Sequence, residues 1–481
     1  MDIKQKAFKG VRWNTIAMAY STIIQIVRLA ILTSILDKSD FGLIAIAMMV
    51  ISFTEIFSEL GLTVGIIHKQ DITQNQYSSL FWLNLILSVI IFFIIWALAP
   101  LVARYYEEKV LESLIPLLGV QVLFNSIGKM FQTVQTKKME FKYISLVKVV
   151  TVTIGFIATI ILAIKGYGVY SLAIGQLIQI GLTQILFCIK GFSSIRISFH
   201  FNILEIVDFV KIGSYRLGSQ ILDFISSKID IFLIGKFFSM EELGIYNIAK
   251  ELISRPNSLI NAMIDGIGSS AFAYIQNDID TVSLYYKRVV SIISSISIPL
   301  YAALFVFAEA VVAILYAPSF SDVAIFLQIL AVIGPINAIN GQAGTLQVAL
   351  GRTDIGFKWT IIRVILFTVI ILALSSTTLR IVALGQSVMT VLCFFLYWRI
   401  VIFPLSRIKL IHYISIFKSP LLATFIIAGF FYLVVVYFHP AIWIQVLLGI
   451  LYSSLYVAYL YKYNRDVLTP VIKLINFKKN I

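Results

Sequence analysis

The sequence predicts an all-α integral membrane protein of fourteen transmembrane helices, and three observations lead there. The chain is 59% hydrophobic and only 13% charged, where a soluble globular chain carries about a quarter charged residues. Apolar runs long enough to cross a bilayer, about 20 residues each, recur along its whole length. The chain also repeats itself: FGLIAIA at 41–47 returns as LGIYNIA at 243–249, an offset of 202 positions.

The apolar runs fall roughly at 11–36, 41–67, 79–103, 113–134, 144–164, 168–189, 206–235, 243–270, 289–315, 322–350, 359–379, 381–403, 419–438 and 441–461. The first follows MDIKQKAFKG and is longer than the 7–15 residues or so of a signal-peptide core, so it reads as the first span. The linkers are too short for a soluble domain. Sliding the first half by 202 places Gly42 on Gly244, Ile46 on Ile248, Ala47 on Ala249, Ile51 on Ile253 and Ser52 on Ser254. A second echo, LAIGQ at 172–176 against VALGQ at 382–386, needs an offset of 210, the difference being a small insertion. The repeats define a first lobe at 1–200, a second at 201–405, and two further spans with a tail at 406–481. Duplicated spans are a usual build of secondary transporters.

The net charge of +14 could suggest nucleic acid, but its distribution argues for a membrane. With the N-terminus in the cytoplasm and the spans alternating, the inside segments hold 23 of the 38 Lys and Arg and the outside loops hold 6. That is the positive-inside bias, and it leaves both termini cytoplasmic. The other 9 cations lie within spans: Arg28, Lys129, Lys148, Lys211, Arg216, Lys228, Lys250, Arg255 and Arg363. Seven acids accompany them: Glu55, Glu59, Asp223, Asp230, Glu251, Asp265 and Glu309. A charge at mid-bilayer costs at least about 2.5–3.5 kcal/mol, so these groups must face one another, a wet cavity or the interface. Lys211, near a span end, fits snorkelling.

Several charges form stripes. Arg216, Gln220, Asp223, Ser227 and Asp230 recur at spacings of four and three, on one helix face. Asn247, Glu251, Ser254, Ser258, Asn261 and Asp265 do the same in the next span, while the first spans carry Asn14, Ser21, Gln25 and Arg28, then Ser52, Glu55 and Glu59. The stripes read as the lining of a hydrophilic cavity, against the plainer reading of interhelical polar contacts worth about 0.6 kcal/mol each. Some charges must pair internally, Asp223 or Asp230 with Lys228 or Arg216. Lys129, Lys148 and Arg363 have no acid nearby on their own helix, which suits either an anionic ligand or an acid from another helix.

Other chemistries find little footing. No G-x-x-x-x-G-K-[ST] motif is present, so the chain does not hydrolyse ATP by that route. Cys188 and Cys393 sit in apolar spans, and His68, His200, His412 and His439 have no metal-ligand spacing. Asp278-Ile279-Asp280 resembles a nucleotide-sugar carboxylate pair, but in a short polar loop. No outside loop exceeds about ten residues, which argues against a polysaccharide polymerase.

KGVRWNTI near the start, DKSDFGLIAIAMMV, VQTKKMEFKYISLVKVV at 134–150 and GYGVYSLAIGQL at 166–177 are similar to the Wzx-type polysaccharide flippases of the multidrug/oligosaccharidyl-lipid/polysaccharide (MOP) superfamily, the colanic-acid-exporter branch being nearest. The family's Q-[RK]-x-M-x-F element reads here as Gln135, Lys138, Met139 and Phe141, with Lys137 inserted. The resemblance implies two parallel six-helix repeats forming a V-shaped central cavity, as in MATE transporters, with two C-terminal helices at the periphery. It implies a multi-pass protein of the bacterial cytoplasmic membrane that is no enzyme. The implied substrate is an undecaprenyl-diphosphate-linked oligosaccharide, moved outward by secondary transport for surface polysaccharide synthesis. No cofactor is expected beyond a proton or sodium gradient, no nucleic acid partner, and a polysaccharide polymerase and chain-length regulator are the expected protein partners.

The stripes and lone cations then assign roles. Arg28, Arg216, Lys228, Lys250, Arg255, Lys129 and Lys148 are the expected substrate-binding cations, because Arg and Lys favour phosphate. Glu55, Glu59, Asp223, Asp230, Glu251 and Asp265 form the pool for ion coupling, expected mainly in the second lobe. The alternatives are a small-molecule antiporter, disfavoured because span cations outnumber span acids, and a membrane polymerase.

Overall fold

The computed structural model describes residues 3–58, 66–67, 69, 71–193 and 195–463, except for the side chains of 3–9, 11, 58, 210–216, 259, 261–271, 273 and 463. Helices run through the described part of the expected spans, residues 59–65 of the second lying outside the described residues: α1 Ile3–Leu32, α2 Lys38–Ser58, α3 Gln74–Tyr106, α4 Leu111–Lys137, α5 Phe141–Ile164, α6 Val169–Phe192, α7 Val207–Phe237 and α8 Met240–Ile275. Then come α9 Ile279–Val306 with the short α10 Ala308–Leu315, α11 Val323–Ala331 with α12 Ile333–Ala349, α13 Thr353–Leu374, α14 Leu379–Ser406, α15 Leu410–Phe438 and α16 Ile442–Tyr463. Among the described residues, eleven helices are long and apolar enough to cross a membrane, or twelve if the bent pair α11–α12 is one span. The long helices α7 and α8 fall outside that count; they carry the striped charges.

Contacts divide the chain into two compact units, Met1–Gly244 and Ile245–Ile481. In the first, α4 packs on α3 and α6, α6 on α5, and α5 on α1. The helix α7 groups with this unit because it is tied at its far end: Tyr106 Oη donates to Phe232 O at 3.2 Å, and Tyr105 stacks on Phe232. In the second unit α9 is the hub, against α11, α12 and α15, and α14 packs on α13. The lobes at 1–200 and 201–405 describe a duplication in sequence, whereas these units describe packing.

Residues of the sequence echo are buried alike: Ile46, Ala47 and Ile51 on one side, Ile248, Ala249 and Ile253 at the shifted positions. Two glycines of the echo meet within the first unit. A Cβ on Gly42 would collide with the carbonyl of Met240, and a Cβ on Gly244 with the carbonyl of Lys38. Met240 is Lys38 shifted by 202, so the first turns of α2 and α8 cross reciprocally, each glycine accepting the other helix's first carbonyl. Small residues let backbones approach this closely where lipid and side chain are equally apolar.

In the second unit one span is broken. α11 and α12 meet at 44°, with Pro335 in the first turn of α12. A proline cannot donate its amide to the helix ladder, and the freed backbone is re-satisfied from neighbouring helices. Ser387 Oγ on α14 donates to Ile329 O at 2.8 Å, while Gln328 Nε2 of α11 in turn satisfies Phe305 O in the last turn of α9 at 3.3 Å.

The crossing makes a stability prediction. Gly42→Leu or Gly244→Leu must push two backbones apart and should cost about 1–3 kcal/mol, the range for overpacking. Gly344→Ala, where an added Cβ meets open space, should leave the melting temperature unchanged or raised. Thermal unfolding of the detergent-solubilised protein, followed by size-exclusion chromatography, checks the contrast.

Candidate functional site

The best-defined polar site lies in the first unit and centres on Glu55 in α2. Its Oε1 accepts from Gln121 Nε2 and from Asn125 Nδ2, each at 3.1 Å. Gln121 and Asn125 stand four apart on α4 and so share a face. Each is backed by a carboxamide from α6: Gln176 Nε2 donates to Gln121 Oε1 at 2.9 Å, and Gln184 Nε2 to Asn125 Oδ1 at 2.9 Å. Two hydrogen-bond chains therefore run from α6 through α4 and converge on one carboxylate oxygen of α2. Each amide accepts behind and donates ahead, so the donors reaching Glu55 are polarised along the chain. Gln121 is 1% exposed and Gln184 6%, and Asn84 Nδ2 adds a bond to Ser126 O at 3.1 Å beside them. Bonds to an ionised group are worth about 1.5–3 kcal/mol, enough to hold a carboxylate at this depth.

The charged stripes separate on inspection. Glu251 and Arg255 pair with each other on α8, Oε2 to Nη2 at 3.2 Å. Arg28, Lys129, Asp223, Lys228, Asp230 and Lys250 all have partners; Asp230 is buried and its Oδ1 accepts from the backbone amide of Ile231 at 2.8 Å. Ser21, Ser254 and Ser258 turn their hydroxyls back onto carbonyls of their own helices. The side chains of Arg216 and Asp265, and all of Glu59, lie outside the described residues.

Lys148 stands apart. It is exposed on the second turn of α5 and pairs with no acid among the described residues. α1 and α5 run parallel, because Lys142 lies over the Trp13 ring and Tyr20 Oη lies 2.8 Å from Thr153 Oγ1. From that bond Lys148 is five residues toward the helix starts and Arg28 eight toward the ends. At 1.5 Å per residue the two cations differ in depth by roughly 20 Å, so they do not form one anion pocket.

The sequence reading missed Gln121, Asn125, Gln176 and Gln184. The signals were present: carboxamides four and eight apart inside apolar runs, and Gln176 at the end of the second echo. Gln176 is half-buried, and its counterpart Gln386 is buried and accepts from Tyr246 Oη on α8 at 2.8 Å, so both copies of the echo end in a hydrogen-bonded carboxamide. Asp278, singled out in sequence, caps α9; its Oδ1 accepts from the amides of Asp280 and Thr281 at 3.1 and 3.2 Å, and the Thr281 hydroxyl bond holds its carboxyl below the usual range.

The network should respond as a unit. Gln121→Leu removes one donor from Glu55 and strands Gln176, and should cost about 1–3 kcal/mol. Adding Gln176→Leu should cost less than the sum of the two single changes, since partners in one network are not additive. A double-mutant cycle on thermal stability measures both.

Comparison with known proteins places the chain. A family model described as "Polysaccharide biosynthesis protein" matches residues 31–325. The lipopolysaccharide biosynthesis protein WzxC of Escherichia coli (strain K12) is 23% identical over 367 residues, 76% of this chain and 75% of that one. The teichuronic acid biosynthesis protein TuaB of Bacillus subtilis (strain 168) is 25% identical over 358 residues, 74% of each. Among solved structures, the lipid II flippase MurJ in an inward closed conformation superposes with a TM-score of 0.74 at 16% identity, covering 94% of this chain and 99% of that one. An inward-facing MATE-family multidrug resistance transporter of the MOP superfamily gives 0.64 at 15%, covering 79% and 94%. The multiple apolar helices make this a multi-pass membrane protein, and the chain belongs to the polysaccharide biosynthesis protein family, with the helical fold of MOP-superfamily transporters.

Proposed function

We propose that the protein is a flippase that carries undecaprenyl-diphosphate-linked oligosaccharide repeat units across the bacterial cytoplasmic membrane by ion-coupled alternating access. In this reading all fourteen expected spans cross the bilayer, both termini face the cytoplasm, and the lobes are 1–200 and 201–405. The family and the names of its relatives support a saccharide substrate. The observation that carries the reading is Lys148, a cation inside a span with no acid beside it among the described residues. A lone ammonium in the second turn of a span is costly to desolvate, and a diphosphate passing beside it would relieve that cost. The other span cations, Arg28, Lys129, Arg216, Lys228, Lys250 and Arg255, remain secondary candidates.

For coupling, Glu55 is favoured over Glu59, Asp223, Asp230, Glu251 and Asp265. Four carboxamides organise it, whereas Glu251 is engaged by Arg255. This moves the expected coupling site from the second lobe to the first. A proton or a sodium ion would serve as the driving ion, and a polymerase and chain-length regulator would act downstream.

The test is complementation of a strain lacking the gene, with surface polymer and lipid-linked intermediates quantified at matched expression. Lys148→Ala should lower export about tenfold or more, equivalent to losing one charge-assisted bond of about 1.5–3 kcal/mol, and Lys148→Arg should retain most of it. Glu55→Gln should abolish dependence on the ion gradient. Normal export by both Lys148→Ala and Glu55→Gln would refute these assignments. A deletion strain with normal polymer and no accumulated intermediate would refute the flippase.

A further inference from the structure

The segment 195–206 between α6 and α7 is neither helix nor free loop. One 3₁₀ turn, Ile203–Glu205, is its only regular structure among the described residues. Six bonds pin that chain to the first three turns of α3, one of them between the hydroxyls of Ser78 and Ser198 at 3.2 Å. Arg196 N donates to Gln74 Oε1 at 3.2 Å, Ser198 N to Ser78 Oγ at 3.0 Å, and Asn202 N to Ser79 Oγ at 3.1 Å. Trp82 Nε1 donates to Ser198 O at 2.9 Å and Gln76 Nε2 to Glu205 O at 3.3 Å. Gln74, Ser78 and Trp82 are spaced by four, one face of the helix. The strap therefore climbs along α3 as far as Trp82, about 12 Å from the helix start.

Its inward side is settled and its outward side is not. Ile195 and Ile206 are buried, but Phe199 is 97% exposed, Leu204 79%, Ile203 54% and Phe201 48%. Phe199 meets the protein through its stack on Trp82, with centroids 5.3 Å apart. Four large apolar side chains exposed within six residues mark a binding surface rather than a solvated turn.

The length of α3 indicates what covers them. Its 33 residues span roughly 50 Å against a hydrocarbon core of about 30 Å, leaving about 10 Å of helix in each interface. The exposed apolar face of α3 begins at Ile86, so Trp82 and the stacked Phe199 lie at the edge of the hydrocarbon. Tryptophan concentrates at that boundary. The same end of the unit carries Lys69, Lys137, Lys138, Lys142 and Arg196, beside the pair Lys190–Glu140 and the acids Asp71, Glu205 and Asp208, an excess of cations that suits anionic head groups.

We propose that residues 195–206 are a membrane-surface strap. Phe199, Phe201, Ile203 and Leu204 insert into the lipid interface on the basic side of the protein, and Arg196 sits among anionic phosphates. The inference concerns the bilayer alone and stands whether or not the protein is a flippase.

Spin labels on Phe199→Cys and Leu204→Cys test it in vesicles of phosphatidylethanolamine and phosphatidylglycerol. The native Cys188 and Cys393 are buried, and Asp71→Cys in the exposed linker before α3 serves as the aqueous reference. The labels at 199 and 204 should collide more with dissolved oxygen, and several-fold less with a water-soluble nickel chelate, than the label at 71. Nickel access equal to the reference would overturn the proposal, and so would exclusion of both reagents, which would mean that protein covers the strap. If one variant fails to fold, the other reads the same surface.

Discussion

A carboxylate inside a bilayer span must be surrounded by donors, and Glu55 shows how much structure that demand organises. Lipid is as apolar as leucine, so burial alone gives helices little reason to prefer one another over lipid. What selects neighbours is polar pairing and close backbone approach. The two chains of carboxamides that end on Glu55 fix α2, α4 and α6 at a defined register in the first unit. The second unit uses buried tyrosines for a similar purpose: Tyr301 Oη donates to Ile253 O at 2.7 Å, Tyr397 Oη to Asn340 O at 3.0 Å and Tyr452 Oη to Pro299 O at 2.9 Å. Each hydroxyl ties one helix to the backbone of another without introducing a charge.

Most of the architecture was legible in the sequence because bilayer thickness imposes a length on every span. The runs at 113–134 and 168–189 became Leu111–Lys137 and Val169–Phe192. The broken helix at Val332 was not legible, since an apolar run of suitable length conceals a bend. The candidate site was legible in part. Charges announce themselves in an apolar background, and Glu251 with Arg255 has the four-residue spacing of a helical pair. The four carboxamides around Glu55 carry no charge and come from two different spans, so only their meeting in space reveals them. Periodicity ranked all striped charges alike. Geometry separates the engaged ones from Lys148, whose surroundings hold no acid among the described residues.

The two ends of α3 show how one long helix serves several tasks. At its start a capping box on Thr73 and Gln76 and the strap's hydrogen bonds consume side chains that would otherwise face water. At its end Tyr105 and Tyr106 hold α7 through Phe232, and Lys236 reaches the Tyr105 carbonyl and Glu107. The first unit is thus framed by polar fastenings at both membrane surfaces, with apolar and carboxamide packing between them.

The glycine crossing of α2 and α8 carries a consequence for how the two copies can diverge. Gly42 rests on the carbonyl that opens α8, and Gly244 on the carbonyl that opens α2. Neither position is independent of the other. A side chain at one would separate the helices and remove the crowding at its partner, so the second substitution would then be nearly free. The two glycines therefore behave as one trait, coupled through a shared backbone contact rather than through any side chain.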